Sequence, residues 1–533
     1  MHSEDSHLTS RVRRRLSWRP LAALLAVAAI ITGMECIVFN LPFWRTLGAS
    51  TDTNAVHNTL GPGLVRTDDD MLTVTDPTKA YLELAADGTS AYLRIDSPSH
   101  DTIDAVHEQA EAESRANGDK AVFKPLDTIH VRVDVNGSTG QAISMNPGTS
   151  RSHYVKAVGA GTVRIWIQEE RGAIVPITDA RANVHVPFAI DWIRVAAMAA
   201  LALLVAIWRP GSRLWRITFD PSSTCQRLAF AAIAAIPTLA IGASIIWQLT
   251  HAMPLAFHTA GGYTYDFDQY GHVADSLIAG RPWLDLDVPG QLAQSTHPYD
   301  VPTRLKLLED GVSPMYWDYA YYEGHWYSYF GVLPAALLFV PYRLITGQML
   351  PTAAAEQFLV LLFIIFFSLL VLRVIHRVMS KTSLAAASLI TVSALLGAQV
   401  GYLDYRTNFY QVPFAASLAL TSLGLWFWLG ADTSSRPLIP SDRWQAGDAQ
   451  PLSLPRLAVG ALCIAANFGC RPTFALTALL AIALFWPQIR AMISDLAHRR
   501  ITMLKALRAP LAMVIPALVV VCLLYTSPSP RDP

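Results

Sequence analysis

Long uninterrupted apolar runs are the feature that most constrains this chain. A helix that crosses the hydrocarbon core of a bilayer needs roughly 20 predominantly apolar residues, because no water is present there to satisfy other backbone arrangements. The composition, with 52% hydrophobic and 15% charged residues, agrees with a membrane protein. The runs that fit are residues 21–39, 190–208, 228–249, 353–372, 384–402, 412–429, 457–486 as two short spans meeting near Gly469, and a run from Leu511 onward. They predict a polytopic α-helical membrane protein.

Basic residues predict the orientation of the spans. Arginines precede the first apolar run at positions 11, 13, 14, 15 and 19. Because basic flanks stay in the cytoplasm, residues 1–18 are predicted to be cytoplasmic and residues 19–40 to form a retained transmembrane anchor. Residues 44–187 and the loop 250–329 then face outward in a multi-pass protein of the cell membrane. The formal net charge of zero gives no basis for nucleic-acid binding.

The apolar stretch 330–347 is predicted to lie along the membrane or re-enter it without crossing. It is shorter than a full span and contains two prolines. If it does not cross, the basic segments 373–381 and 499–508 both fall in the cytoplasm. The same assumption places Arg471 at the outer face, between two short spans.

Residues 44–187 alternate apolar and polar side chains, which indicates strands. The segment AYLELAADGTSAYLRID predicts a hairpin that turns at Asp87-Gly88. The whole region predicts an extracytoplasmic β-sandwich-like domain, inserted after the first transmembrane helix. Tyr81, Tyr92 and Trp166 either form a sugar-binding face on this domain or pack its interior.

The loop 250–329 combines acidic and aromatic residues. Ten acidic residues oppose three basic ones, and the acids are bracketed by YDFDQYGHVADSLIAGRPW and MYWDYAYYEGHWYSYFG. Sugar rings stack on aromatic side chains through their apolar faces, while their hydroxyls bond to carboxylates and amides, so this composition favours carbohydrate. The segment from Tyr270 predicts a short helix with Asp266 and Asp268 at or just before its start.

Asp266 and Asp268 have alternative roles at that position. An aspartate at a helix start commonly accepts backbone N–H bonds as a cap. A functional carboxylate would instead act as a general base on an acceptor hydroxyl. A D-x-D pair is also able to hold a divalent metal ion, the one cofactor that the sequence suggests.

The region of roughly residues 228–486 resembles the GT-C class of membrane glycosyltransferases, in particular the protein mannosyltransferase and aminoarabinose transferase group, glycosyltransferase family 39. The resemblance rests on a membrane helix, an outward loop with an acidic motif, a Tyr four residues on, and the pattern A…L..G. It implies transfer of a sugar from a polyprenyl-phosphate donor on the outer face.

The resemblance also suggests roles for individual residues. Asp266, aligned through Tyr270 and Ala274, matches the family aspartate that binds or deprotonates the acceptor. Phe267 separates it from the second acid, Asp268, where the family often has two adjacent acids, so the alignment does not decide which aspartate is catalytic. The family's Lys-Pro-Pro is absent, and the β-rich insertion lies outside the family pattern. The acceptor therefore stays open as an envelope glycan, lipid or protein.

Further substrate-binding residues are predicted around the aspartates. They are Tyr265, Tyr270, Tyr322, Arg406 and Arg471. A guanidinium pairs bidentately with phosphate, so Arg471 of GCRPTF, or Arg406, is a candidate for the carrier phosphate.

Arginines near a membrane also have alternative partners. Arg471 either contacts phosphate, snorkels to the interface or pairs with Asp404. His272 and His325 are interpreted as surface or hydrogen-bonded side chains rather than metal ligands, because no His/Cys cluster has metal spacing.

The end of the chain has an unusual composition. CLLYTSPSPRD, residues 522–532, resembles a translated sequencing adapter, so residues 522–533 are predicted to be a non-native tail after a multi-span domain of residues 188–521. The alternative is a natural polar tail. Five scattered cysteines predict no disulfide framework.

A non-catalytic function is the alternative to the glycosyltransferase. It would be a transporter or flippase, or a sugar-sensing receptor, for envelope glycans. A transporter is expected to carry ionisable residues in mid-span and paired broken helices, and the predicted span interiors are nearly free of charge, which favours the enzyme.

Overall fold

The computed structural model describes residues 18–50, 58–116, 125–251, 256–258, 262–432 and 452–525. Three segments with sequence predictions lie outside these residues: the arginine-rich start, residues 433–451 of a polar segment predicted to link two spans in the cytoplasm, and the end of the tail from residue 526. The chain divides into two compact units, Met1–Ala206 and Ile207–Pro533.

The described residues include six helices that are long and apolar enough to cross a membrane, by length and composition. They are Ala22–Phe39, Trp192–Arg216, Thr224–His251, Thr352–Val378, Gln411–Leu429 and Met503–Leu524. A further pair, Pro472–Leu484 and Trp486–Ala497, passes the same test together but is bent by 59°. The chain therefore has the architecture of a multi-pass helical membrane protein.

The first unit joins apolar helices to a β-rich domain. Its helices are α1 (Trp18–Gly33), continued by the π-helical turn Met34–Phe39, α2 (Leu41–Arg45), α3 (His100–Ala116) and α4 (Trp192–Trp208). Its strands are β1 (Thr59–Leu60), β2 (Leu64–Arg66), β3 (Leu72–Val74), β4 (Tyr81–Ala86), β5 (Tyr92–Asp96), β6 (Ile129–Val135), β7 (Ala142–Met145), β8 (Ser152–Lys156), β9 (Gly161–Ile167), β10 (Ile174–Val175) and β11 (Asp179–Arg181).

These strands form one five-stranded and two three-stranded antiparallel sheets, with the orders β1-β4-β9-β6-β7, β10-β3-β2 and β11-β5-β8. Apolar residues from all three sheets share one buried core, in which Leu82, Leu93 and Ile165 are almost fully enclosed. The strand-rich character predicted from alternation is confirmed. The finer β-sandwich class stays a prediction.

The predicted hairpin at Asp87-Gly88 is wrong. Strand β4 pairs with β1 and β9, whereas β5 pairs with β8 and β11 in another sheet. Gly88 does adopt the left-handed conformation that a tight turn uses, with φ +80°. Both strands point apolar residues into the common core, so burial is achieved without pairing them to each other.

The aromatic residues predicted on this domain fall on different sheets. Tyr81 and Trp166 face each other across β4 and β9, with ring centroids 4.9 Å apart. Arg132 lies over the Trp166 ring, and Arg164 over Tyr81. Tyr92 lies on β5, opposite Lys156. Tyr81 and Trp166 thus share a half-buried surface with arginines, and Tyr92 belongs elsewhere.

The two ends of the β-rich domain are joined by a bidentate ion pair. Glu35, which is buried, accepts from Arg194 Nη2 at 2.6 Å and from Arg194 Nε at 2.7 Å, and the Asp191 amide donates to it at 2.9 Å. Nearby, Asn40 exchanges two hydrogen bonds with the backbone of Ala189. The chain therefore enters and leaves the domain at one place.

The second unit contains the remaining elements. Its helices are α5 (Arg213–Arg216), α6 (Thr224–His251), α7 (Gln269–Ile278), α8 (Gly290–Ala293), α9 (Val301–Glu309), α10 (Val340–Thr346), α11 (Thr352–Val378), α12 (Leu384–Gly397), α13 (Val400–Tyr405), α14 (Gln411–Leu429), α15 (Leu454–Ala465), α16 (Leu480–Leu484), α17 (Trp486–Ala497) and α18 (Met503–Tyr525). A π-helical turn (Ala335–Phe339) and two 3₁₀ segments (Ala466–Gly469 and Pro472–Leu479) accompany them, with strands β12 (Ala256–His258), β13 (Thr264–Asp266), β14 (Ala320–Tyr322) and β15 (His325–Tyr327).

Two apolar stretches form helices that are shorter than a span, one of them at a predicted span. Helix α12 ends at Gly397, Gln399 adopts a left-handed conformation, and a separate helix begins at Val400. The 330–347 stretch contains a short apolar helix, Ala335–Thr346, that stops at the left-handed Gly347. The expectation that it does not cross the bilayer stays a prediction.

Candidate active site

The acidic motif lies where a short strand runs into a helix. Strand β13 ends at Asp266 and pairs on one side with β12. On its other side the Thr264 amide donates to Met315 O at 2.8 Å, and the Trp317 amide donates to Thr264 O at 2.9 Å. Helix α7 begins three residues after Asp266, as the sequence predicts. Backbone bonds on both sides therefore fix the position of Asp266.

Asp266 is bound to an imidazole. Its Oδ2 lies 2.8 Å from His272 Nε2, and its Oδ1 accepts from the Asp268 amide at 2.9 Å. The Asp266 side chain is 9% exposed and that of His272 is 22% exposed. The Tyr319 hydroxyl donates to the Asp266 backbone oxygen at 3.5 Å. A carboxylate held by an imidazole on one side and an amide on the other is positioned for proton transfer through the more exposed histidine.

Asp268 points toward a membrane helix. It stands at the N-cap position of α7, yet its side chain makes no cap hydrogen bond to that helix. Its Oδ1 accepts from the Thr352 hydroxyl at 3.1 Å, and Thr352 is the first residue of α11. It is the Asp266 side chain that accepts a backbone amide here, from Asp268, and so forms the turn before the helix. The two aspartates thus have different surroundings, one bound to histidine and the other to α11.

The buried Tyr319 and the half-buried Tyr316 lie near Asp266. Burial raises the pKa of Tyr316 and of Tyr319, and the Asp266 carboxylate raises both further. Both hydroxyls therefore stay protonated across the physiological range, and that of Tyr319 donates to the Asp266 backbone oxygen. Tyr270 is also buried, and its ring stacks on Phe339 with centroids 5.4 Å apart.

Arg471 lies in the same region as the acidic loop. Its guanidinium carbon is 3.7 Å from the centroid of the Phe414 ring. Burial raises the pKa of Tyr270, and burial together with Asp318 raises the pKa of Tyr329. The positive charge of Arg471 lowers the pKa of both tyrosines, which shows that it lies near them. Within the described part of the chain Arg471 forms no ion pair, so the alternative of pairing with Asp404 is not observed.

Gly331, just after the acidic loop, contacts the turn that carries Arg471. A Cβ atom placed on Gly331 would lie 2.3 Å from the carbonyl oxygen of Gly469 and 2.4 Å from that of Cys470. Only a residue without a side chain permits this approach of two backbones. The contact explains how a turn some 140 residues later in the sequence is brought to the loop.

An apolar cavity adjoins this contact. It has a volume of about 130 Å³. Its walls are leucines of residues 333–338, Leu359 and Leu362 of α11, small side chains of α14, and Cys470. The cavity therefore begins one residue from Arg471 and is suited to hydrocarbon rather than to a polar ligand.

We expect Gly331→Ala to destabilise the protein by about 1–3 kcal/mol, because the added methyl group overlaps two backbone carbonyls that cannot move independently. The melting temperature in detergent should fall accordingly. Gly290→Ala is the matched control, since a Cβ there meets no atom within 4 Å. Equal melting temperatures for the two variants would show that the backbone approach is not required.

The other predicted substrate residues are dispersed. Tyr265 is half-buried, 5.8 Å from the ring of Trp317. Tyr322 is exposed on β14 near Tyr299. Arg406 is exposed and donates to the Tyr402 hydroxyl at 2.9 Å, and no described contact brings it to Asp266.

Sequence reasoning missed His272 as the partner of Asp266. It predicted only that this histidine is at the surface or hydrogen-bonded, which the 2.8 Å contact bears out. The useful signal was the spacing: Asp266 precedes the helix and His272 completes its first turn, so both lie at the same helix end. His325 stacks on Trp283 with centroids 4.7 Å apart. No group of three metal-ligating side chains is found among the described residues.

Comparisons with known proteins leave the family of this chain open. No family model, curated protein or solved structure matches it. The proposed chemistry therefore depends on the geometry of the site and on the sequence pattern.

Proposed function

We propose that this protein is a membrane glycosyltransferase that moves a sugar from a polyprenyl-phosphate donor to a cell-envelope acceptor on the outer face of the cell membrane. The observation that carries the proposal is the Asp266–His272 pair, a carboxylate and an imidazole 2.8 Å apart on a loop between apolar helices. The aromatic rings around this pair suit the apolar faces of a sugar, and the tyrosine hydroxyls suit its hydroxyl groups. We propose that the β-rich domain is a β-sandwich. None of the residues used in the proposed step belongs to it.

The proposed step uses groups from the loop and from the turn after α15. The acceptor oxygen forms a bond to the anomeric carbon while the bond from that carbon to the phosphate oxygen breaks. The acceptor proton passes to the Asp266–His272 pair, and polyprenyl phosphate leaves. Positioning and proton removal are the two contributions that these residues supply.

Arg471 and the apolar cavity suit the donor. A guanidinium without a carboxylate partner among the described residues is able to pair bidentately with the phosphate. The cavity that starts at Cys470 offers space for the first isoprene units. A charged head site next to a hydrocarbon site matches the two parts of a lipid-linked sugar.

The test is a transfer assay with full-length protein in membranes and a panel of polyprenyl-phosphate sugars. Transfer of labelled sugar from one of these donors to an envelope acceptor, absent from membranes without the protein, is the expected result. Failure of every donor, with the protein inserted and folded, would reject the proposal.

Arg471→Ala should raise the KM for the lipid donor about 10- to 100-fold, because a hydrogen-bonded charge pair contributes roughly 1.5–3 kcal/mol. Arg471→Lys should recover only part of the affinity, since an ammonium cannot bind bidentately. Donor titrations in the transfer assay provide the measurement. If Arg406→Ala raises this KM and Arg471→Ala does not, the phosphate site belongs to Arg406.

One observation favours a transporter as the second candidate. Glu356 lies on α11, is completely buried, and neither carboxyl oxygen has a hydrogen-bond partner among the described residues. An ionisable side chain within a span often marks a transport pathway or a proton relay. Proteoliposomes separate the candidates: a transporter moves a labelled lipid-linked sugar across the bilayer without forming a product, and Glu356→Gln should stop that movement.

A further inference from the structure

Trp317 is the exposed member of a cluster of three aromatic rings next to Asp266. Its side chain is 42% exposed, although it belongs to a segment that packs closely on β13. The Tyr263 ring meets it edge-on, with centroids 5.1 Å apart and an interplanar angle of 72°. The Tyr265 ring lies 5.8 Å away and is tilted by 36°. Two tyrosines therefore brace one indole that faces solvent.

The backbone beneath this cluster is fixed. The Trp317 amide donates to Thr264 O, and Thr264 also bonds to Met315, so the indole is carried by a paired segment. Met315, Tyr319 and Trp326 belong to a buried cluster against which Tyr263 packs. A braced ring on a paired segment loses little freedom on binding, which favours affinity.

We propose that Trp317, braced by Tyr263 and Tyr265, is the platform on which a pyranose ring of a glycan acceptor stacks. This inference rests on the proposed function and chooses one of its three acceptor classes. Trp317 is followed directly by the half-buried Asp318, whose carboxylate is able to accept bonds from sugar hydroxyls, whereas Asp266 is 9% exposed and already bonded to His272 and to the Asp268 amide. A flat apolar face edged by acceptors matches a sugar ring, whose faces are apolar and whose rim carries hydroxyls.

The same surroundings disfavour the other acceptor classes. Strand β13 is paired with β12 on one side and with the Trp317 segment on the other, so it offers no free edge to an extended peptide. A lipid acceptor would need an apolar groove, and the apolar cavity described above is already assigned to the lipid donor. The remaining alternative for an exposed tryptophan is insertion at the membrane interface, where such residues are enriched.

The test measures binding and transfer separately in the purified full-length protein. Trisaccharides of mannose, glucose, galactose and N-acetylglucosamine are titrated by saturation-transfer NMR, and transfer is assayed in parallel. We expect at least one trisaccharide to bind, Trp317→Ala to weaken that binding about 10-fold, and Trp317→Phe to keep most of it, because stacking needs only an aromatic face. In the transfer assay the KM for the acceptor should rise while the KM for the lipid donor stays unchanged.

Trp215→Ala is the matched control, since it removes an indole of similar exposure from α5. If trisaccharide binding depends on Trp317 but the native protein transfers no sugar, the platform stands and the proposed function fails. If no trisaccharide binds, or Trp317→Ala binds as tightly as the native protein, the platform is wrong. Weaker association of Trp317→Ala with liposomes, at unchanged glycan affinity, would assign the indole to the membrane interface.

Discussion

Asp266→Asn is expected to lower sugar transfer about 10²- to 10⁴-fold, the usual contribution of general acid–base catalysis. The amide keeps the size of the side chain and is able to accept from the Asp268 amide, but it cannot take up a proton or carry the charge that His272 faces at 2.8 Å. Turnover is measured at saturating donor and acceptor, with expression and membrane insertion checked on the same samples.

Two further variants make this experiment specific. Asp285→Asn removes another loop carboxylate, one that is exposed and paired with Arg281, and should leave turnover unchanged. Asp268→Asn should cost less than Asp266→Asn, because Asp268 faces Thr352 rather than the histidine. If Asp268→Asn abolishes transfer and Asp266→Asn is almost silent, the roles of the two aspartates are exchanged. If both are silent, Asp266 serves only the turn before α7, and Asp268 serves only the contact with α11.

His272→Phe should lower turnover about 10²-fold or more, since the imidazole is the more exposed member of the pair and the group through which a proton leaves Asp266. His272→Gln separates two roles. Glutamine is able to donate to Asp266 and hold its orientation but cannot accept a proton at physiological pH. A catalytic imidazole predicts that both variants are equally slow.

If His272 only positions Asp266, the two substitutions should differ in turnover. His272→Gln would then recover most of the turnover while His272→Phe stays slow. His325→Phe is the comparison, because that ring stacks on Trp283 and has no described contact with Asp266. Native turnover in all three variants would remove the imidazole from the mechanism.

The features that depend on local sequence were predictable. Apolar runs long enough for a bilayer gave the six helices, and alternation gave the strands, since both patterns report burial one element at a time. The start of α7 after the acidic motif was predictable for the same reason. Where a run was interrupted, as at Gln399, hydropathy alone could not place the break, because one polar glutamine within an apolar run does not by itself end a helix and its left-handed backbone cannot be read from the pattern.

The features that depend on distant contacts were not predictable. A turn at Asp87-Gly88 looked like a hairpin, but the partners of β4 and β5 come from residues far along the chain. The approach of Gly331 to the Gly469 turn and the bracing of Trp317 by Tyr263 and Tyr265 are likewise tertiary contacts. Each needs the fold before its residues become neighbours, so one sequence without homologues cannot reveal them.

The ion pair between Glu35 and Arg194 holds the two ends of the β-rich domain together. Thr46 accepts the Val186 amide at 3.0 Å, and Asn40 bonds to Ala189, so the segments that enter and leave the domain lie side by side. Domains whose termini lie side by side are the ones that evolution inserts, exchanges and removes most readily, because the host chain closes again with a short loop. The membrane helices and the β-rich domain are therefore free to have separate evolutionary histories.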